Sequence, residues 1–436
     1  MANPLPELPF DVLTHIFEHI LDERILQICA FVNRAFNAAA TPFLWAHITS
    51  ANTRYLTLLR RKELSVHVLD ASEEFRPIPL REGYGFDTDQ AWFECLAMCK
   101  NLRTYAWNSP HARFENALPI LKRCPKLQCV VLLTQQSVSS ALDPLICLSG
   151  LRKLRLYHRH WYTLSTFKYW MKLLSDQLED LALEIQFPLG YSLSEALHPL
   201  RKLRRFVLSR ACSTPSEMLS LVSHFYYLET LEIAYEHPLA PRDEIFFPCN
   251  LPSLRRLVIT QYNDIKSKQD HKLLFAFVDA LTAGSYPEAL LIFSPETLPG
   301  RRADNFVTHL SKKHKSTMRT LFLENMYVGY KTIQKLHVYF PNLEGFSISV
   351  GTSVFAHMGI LIAPSVNLRV LYLHVPPTKG QVEPRFEYEE ALALMLQGPP
   401  KLRRIQVNDN VWVGKWETRP LAEGGVAVYL GVHREP

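Results

Sequence analysis

A single spacing governs this chain. The pattern Leu-x-x-Leu-x-Leu, with aromatic or β-branched substitutes, recurs from residue 102 almost to the end of the 436-residue sequence. Copies begin at Leu102, Leu127, Leu151, Leu178, Leu203, Leu228 and Leu254; a degenerate copy lies near Leu291 and Phe293, and others begin at Met318, Leu343, Leu368 and Leu402. Consecutive starts are mostly 24 to 27 residues apart. Side chains alternate along a strand, so the last two apolar residues of each copy point to one side while the first turns the chain into the strand. Segments of helical composition, such as 167–174, 216–222 and 273–281, separate the copies. A unit of this length cannot close its own core, so the units must stack, each helix burying its apolar stripe against neighbouring strands.

Apolar repeats of 20–29 residues in this form are the signature of leucine-rich repeats. The fold class expected is α/β: a curved parallel sheet with outer helices, about twelve irregular repeats over 91–411. Proline often precedes the next strand, as in Cys124-Pro125-Lys126-Leu127 and Phe340-Pro341-Asn342-Leu343, ending the helix and favouring an extended entry. The first of these resembles the cysteine-bearing subtype of such repeats. Longer intervals around Leu291 and before Leu402 mark expected insertions at 238–248, 262–269 and 376–384. Residues 49–90 read as a linker with the first elements of the array, including a strand at 64–69 and an exposed loop at 76–87. Residues 412–436 lose the repeat; Trp412, Trp416 and the alternation Val426-Ala427-Val428-Tyr429-Leu430 suggest a cap over the last open core.

Composition excludes several classes. A hydrophobic fraction of 47% is that of a folded chain, and a formal charge of +6 with no long Lys/Arg block makes nucleic acid an unfavoured partner. No apolar run approaches the ~20 residues of a membrane span, and no secretory leader is recognisable; the expected setting is cytoplasmic or nuclear. The eight cysteines read as free thiols lining a core and not as disulfides or a zinc site. No phosphate-binding glycine loop, zinc-protease helix or nucleophile elbow occurs. His158-Arg159-His160-Trp161 lacks a carboxylate constellation, and Glu73-Glu74 and Glu389-Glu390 read as solvated faces. No catalytic residue, metal or cofactor is assigned.

Ahead of the repeats, Val12, Leu13, Ile16, Phe17 and Ile20 fall at helical spacing behind Pro9 and Asp11. A second helix is expected over 25–40, ended by Thr41-Pro42, with Leu44 and Trp45 opening a short apolar element. So short a segment cannot bury this surface alone. Leu8-Pro9, Val12-Leu13, Ile16-Phe17, Val32-Asn33-Arg34-Ala35-Phe36 and Leu44-Trp45, in this order and spacing, resemble an F-box over residues 8–48, within a helical module of 1–48. The short Leu21-Asp22-Glu23-Arg24 connection departs from the longer turn common in that family and bears on the angle between the first two helices. The resemblance implies a helical module that packs on a Skp-family adaptor and through it reaches a cullin, making the chain the substrate-recognition subunit of a ubiquitin ligase. Leu8, Pro9, Leu13, Ile16, Phe17, Val32, Phe36, Leu44 and Trp45 would then meet the adaptor. Alternatively, the stripe caps the first repeat of a scaffold or inhibitor that transfers no ubiquitin.

The open face of the strands is expected to be basic and dotted with aromatics. Arg155, Tyr157, Arg205, Tyr235, Arg256, Tyr372 and Arg404 are candidates for contact with a protein target, an acidic or phosphorylated segment being favoured because Arg pairs bidentately with such groups. Glu179, Asp180, Glu184, Glu229 and Glu232 interrupt that stripe, and Arg or Lys at strand entries can equally be solvated residues with their stems on the sheet.

Overall fold

The computed structural model describes residues 8–20, 22–49, 62–73, 92–107, 114–134, 148, 150–158, 164–185, 193–209, 214–236, 246–261, 268–295, 300–376, 386–420 and 426–434. The chain divides into two compact units, Met1–Leu203 and Arg204–Pro436.

The first unit opens with three helices, α1 (Phe10–Glu18), α2 (Glu23–Ala30) and α3 (Arg34–Leu44). Each start has a local cause. Pro9 precedes α1, where its missing N–H costs nothing. Asp22 accepts a hydrogen bond from the Arg24 amide at 2.8 Å, and Asn33 accepts one from the Phe36 amide at 2.9 Å. The Asn33 cap splits the single helix expected over 25–40 into α2 and α3. Nor does Pro42 end the helix: α3 runs through it to Leu44, since a proline near the last turn forfeits only one bond. Leu13, Phe17, Leu26, Ala39 and Ala40 form a small core, with Phe36 set edge-on against Phe17 at 5.6 Å.

The sheet begins two residues after α3. β1 (His47–Thr49), β2 (Asp70–Glu73), β3 (Thr104–Trp107), β4 (Cys129–Thr134), β5 (Lys153–His158) and β6 (Asp180–Ile185) pair in sequence order, all parallel. The amides of Leu69 and Asp70 both donate to the Ala46 carbonyl, and His47 Nδ1 lies 2.8 Å from the Asp70 carboxylate. The strand expected at 64–69 is absent. Residues 62–65 form a helical turn and Val68 is buried at the position that turns the chain into β2, where Leu102 serves β3. The first strands are thus His47–Thr49 and Asp70–Glu73.

The second unit holds β7 (Arg205–Leu208), β8 (Thr230–Tyr235), β9 (Arg256–Gln261), β10 (Ala289–Phe293), β11 (Thr320–Tyr327), β12 (Gly345–Ser349), β13 (Val370–His374) and β14 (Arg404–Val407), parallel neighbours in order. Helices such as Pro215–Val222, Lys268–Leu281, Gly300–His314 and Tyr388–Gln397 return the chain between strands. The first of these carries a reciprocal cap between Thr214 and Glu217. The apolar pairs of the pattern, Phe206/Leu208, Leu231/Ile233 and Leu371/Leu373 among them, are buried. In β10 the inward pair is Leu290 and Ile292, one residue away from the expected Leu291 and Phe293, which take the open face in register with Val258 and Thr260. β15 (Asn410–Pro420) and β16 (Val426–Arg434) close the unit as an antiparallel pair on β14, burying Trp412, Leu430 and Val432.

Of the cysteines, Cys29, Cys95, Cys99, Cys124, Cys129 and Cys249 are free thiols, and Cys147 and Cys212 lie outside the described residues. Burial pushes the Cys99 thiol up to about 12 and those of Cys124 and Cys249 up to about 11, so they are protonated packing groups. Most of the expected insertions, the 76–87 loop, and Arg159, His160 and Trp161 also lie outside the described residues. No helix among the described residues is long and apolar enough to cross a membrane.

Candidate functional site

Two surfaces were expected to carry function, and the structure treats them differently. In and around the N-terminal helices, eight large apolar side chains are exposed among the described residues 8–32: Leu8, Phe10, Val12 and Ile16 ahead of the α1–α2 turn, and Ile25, Ile28, Phe31 and Val32 after it. Phe31 is 89% accessible, Ile28 68% and Val32 60%. Fully burying one such side chain stabilises by roughly 1.5–3 kcal/mol. Exposed apolar side chains at this density in one short segment mark a site of interaction.

Of the residues expected to meet an adaptor, Leu8, Pro9, Ile16 and Val32 lie on this exposed surface. Phe36, Leu44 and Trp45 are half-buried. Leu13 and Phe17 are enclosed in the module's own core and hold the helices together, so they are not available to a partner. Phe10, Ile25, Ile28 and Phe31 are exposed as well and were not among the residues expected there. Reading 25–40 as one helix concealed two of them, because the break at residues 31–33 leaves Ile28 and Phe31 facing outward.

The open face of the strands carries its charge in pairs. Arg205 Nη2 lies 2.9 Å from Glu232, and Arg155 Nη2 3.9 Å from the buried Asp180 carboxylate. At the strand entries one row alternates in sign. Arg152 faces Glu179 in the first unit. In the second, Arg204 faces Glu229 and Arg255 faces Glu288; Arg319 lies between Glu288 and Glu344, and Arg369 faces Glu344 from the other side. The basic stripe visible in the sequence is thus largely an ion-pair ladder.

Arg256 is exposed, while Tyr157, Tyr372 and Arg404 are half-exposed; Tyr372 stands edge-on to Phe322 at 5.2 Å. Tyr235 was misplaced. It shares the parity of Leu231 and Ile233, points into the core with 1% accessibility, and packs 5.2 Å from Phe277. Glu390 accepts a hydrogen bond from the Glu387 amide at a helix start, a capping role. Among the described residues no group of three or more His, Cys, Asp or Glu is arranged to hold a metal ion.

Residues 5–51 match the family model described as F-box-like. No curated protein matches the chain as a relative. Solved structures with similarity include the yeast Rad7 and Elc1 complex, at 15% identity and a TM-score of 0.43, covering 86% of this chain and 90% of that one. Another is a TLR13–ssRNA13 complex, at 16% identity and a TM-score of 0.38, covering 72% of this chain and 43% of that one. A third is an internalin of Listeria monocytogenes, at 12% identity and a TM-score of 0.29, covering 82% and 94%. The chain thus joins a head that matches the F-box-like model over residues 5–51 to parallel strands and returning helices built on the leucine-rich pattern.

Proposed function

We propose that this chain is the substrate-recognition subunit of a Skp–cullin–F-box ubiquitin ligase, docking a Skp-family adaptor through α1–α3 and a target protein through the repeats. The observation that carries the reading is the coincidence of the F-box-like match with the exposed apolar side chains Leu8, Phe10, Ile16, Ile28, Phe31 and Val32. The role needs no catalytic group of its own. Holding a target lysine near a charged ubiquitin carrier raises its effective concentration. The entry of β1 into the sheet shortly after α3 supports a stiff coupling between the helices and the first repeats of the same unit.

Co-purification with a Skp-family adaptor tests the proposal. The wild-type chain should form a stable complex, and Ile28→Asp with Phe31→Asp should abolish it while the repeats stay folded. Failure of the wild type to bind any such adaptor sinks the reading. The same β1 junction favours a second reading, a repeat scaffold or inhibitor whose helices serve only as an N-terminal cap. Removing residues 1–44 separates them: a pure cap predicts loss of cooperative unfolding of the first repeats with no partner lost.

A further inference from the structure

One concentration of positive charge lies on the outer helix layer of the second unit. Residues 300–340 hold eight Lys or Arg against two acidic residues, Asp304 and Glu324, an excess of +6. Three of the eight basic groups are engaged. Arg302 Nη1 lies 2.6 Å from His271 Nδ1, Lys313 donates to the Asp279 carbonyl and the Thr282 hydroxyl, and Arg319 belongs to the ladder. The side chains of Arg301, Lys312, Lys315, Lys331 and Lys335, with Lys272 on the preceding helix, are exposed and make no ion pair or hydrogen bond among the described residues.

Their placement makes a surface. Arg301, Asn305, His309 and Lys312 are the exposed positions of the helix Gly300–His314 and lie on one broad face, spanning about 16 Å at 1.5 Å per residue. Lys331 and Lys335 are four residues apart, on and just beyond the next short helix, Tyr330–Gln334. The only carboxylates on these helices are already committed. Asp279 holds His309 at 2.7 Å, Asp304 accepts from the Gly329 amide, and Asp270 is buried. Like charges within a Debye length of about 10 Å repel one another, and an anionic partner would relieve that repulsion.

We infer that the outer face of the helices Lys268–Leu281, Gly300–His314 and Tyr330–Gln334, with Lys315 and Lys335, is a docking surface for a short acidic protein segment, a run of Asp and Glu side chains. Two features select this partner over a nucleic acid. The patch is short, and the outer layer turns acidic at the helix Tyr388–Gln397, with Glu387, Glu389 and Glu390 at its start, where a longer polyanion would meet repulsion. It is also built mainly from Lys, compact point charges suited to scattered carboxylates, with Arg301 as its one unengaged guanidinium and no Arg cluster to read phosphate bidentately.

The test is fluorescence anisotropy of a labelled oligoglutamate peptide on the full chain at low salt, with an oligothymidylate and phosphatidylserine vesicles in parallel. The peptide should bind, weaken as salt rises, and lose at least about tenfold in affinity on combined Lys312→Glu, Lys315→Glu, Lys331→Glu and Lys335→Glu substitution. Reversing exposed lysines of the first unit, Lys100→Glu with Lys172→Glu, should change affinity less than about twofold. Should the fourfold reversal fail to melt cooperatively, the corresponding Gln substitutions take its place. Absence of peptide binding, equal loss in the control variant, or tighter binding of the oligonucleotide or the vesicles each overturns the inference.

Discussion

The N-terminal helices and the repeats are composed of the same apolar residues and dispose of them in opposite ways. In β5 the side chains of Leu154 and Leu156 are enclosed; in α2 Ile25 and Ile28 stand open to solvent. The difference lies in the number of neighbours. A strand–helix unit is covered on both sides by copies of itself, so every position of its pattern finds a partner. Three short helices make one small core from five buried residues and, among the described residues, leave other large apolar side chains exposed. Equal hydrophobicity thus becomes enclosed core in one region and exposed surface in the other.

Core truncation in a repeat should give the largest effect. Phe346 on β12 is fully buried, so Phe346→Ala should cost about 3–5 kcal/mol in denaturant unfolding of the second unit. A loss below about 1 kcal/mol would mean that the repeats are no better enclosed than the helices.

A pH titration comes next, because the repeats also bury a basic group. His314 ends the helix Gly300–His314 with 1% accessibility, its Nε2 lying 3.3 Å from the Thr282 hydroxyl. Burial, reinforced by Lys313 and His309 and opposed by Asp279, pushes its pKa down to about 4. The unfolded imidazole titrates near ~6.5. The unfolded chain therefore takes up the proton first, and stability present above pH ~6.5 should fall by up to about 3 kcal/mol as pH drops toward 4. In His314→Gln the decline between those values should shrink; an unchanged profile would assign the acid sensitivity to other groups.

The third prediction reverses the first. Phe31→Asp alters the most exposed large apolar residue, so stability should move by no more than about 0.5 kcal/mol. Adaptor binding should nevertheless weaken by about 2 kcal/mol or more, read by calorimetry. If stability falls and binding does not, the face is a cap over the first repeat and the contrast between the regions collapses.

How much of this was legible in the sequence follows from the same contrast. The repeat was plain because its period is enforced by stacking, and the inward pairs fell where the pattern put them except at β10. There Leu290, Leu291 and Ile292 are all apolar, and a run without alternation does not declare its parity. Tyr235 was misplaced by chemistry: an aromatic with a hydroxyl suggested a surface, whereas its spacing from Leu231 and Ile233 required the core. In the helices, Leu13 and Ile16 belong to one stripe that is wider than the core behind it, and only packing decides which part is covered. The ladder was invisible for another reason. Arg319, Glu288 and Glu344 are far apart in sequence and become neighbours only through the register of β10, β11 and β12.

That ladder gives the smallest effect and the most direct view of what the strand entries do. Arg319 bridges Glu288 at 3.8 Å and Glu344 at 2.8 Å, and all three side chains are partly solvated. Exposed pairs contribute between nothing and about 1 kcal/mol. Arg319→Ala should therefore cost no more than about 1 kcal/mol at low salt, and the cost should shrink as added salt screens the pairs. A larger, salt-independent loss would make the ladder part of the enclosed core. If instead Arg319→Ala leaves stability unchanged at every salt concentration but weakens capture of an acidic target, the alternating row is a reading surface after all, and the repeats would join the helices as a region whose unspent interactions are kept for a partner.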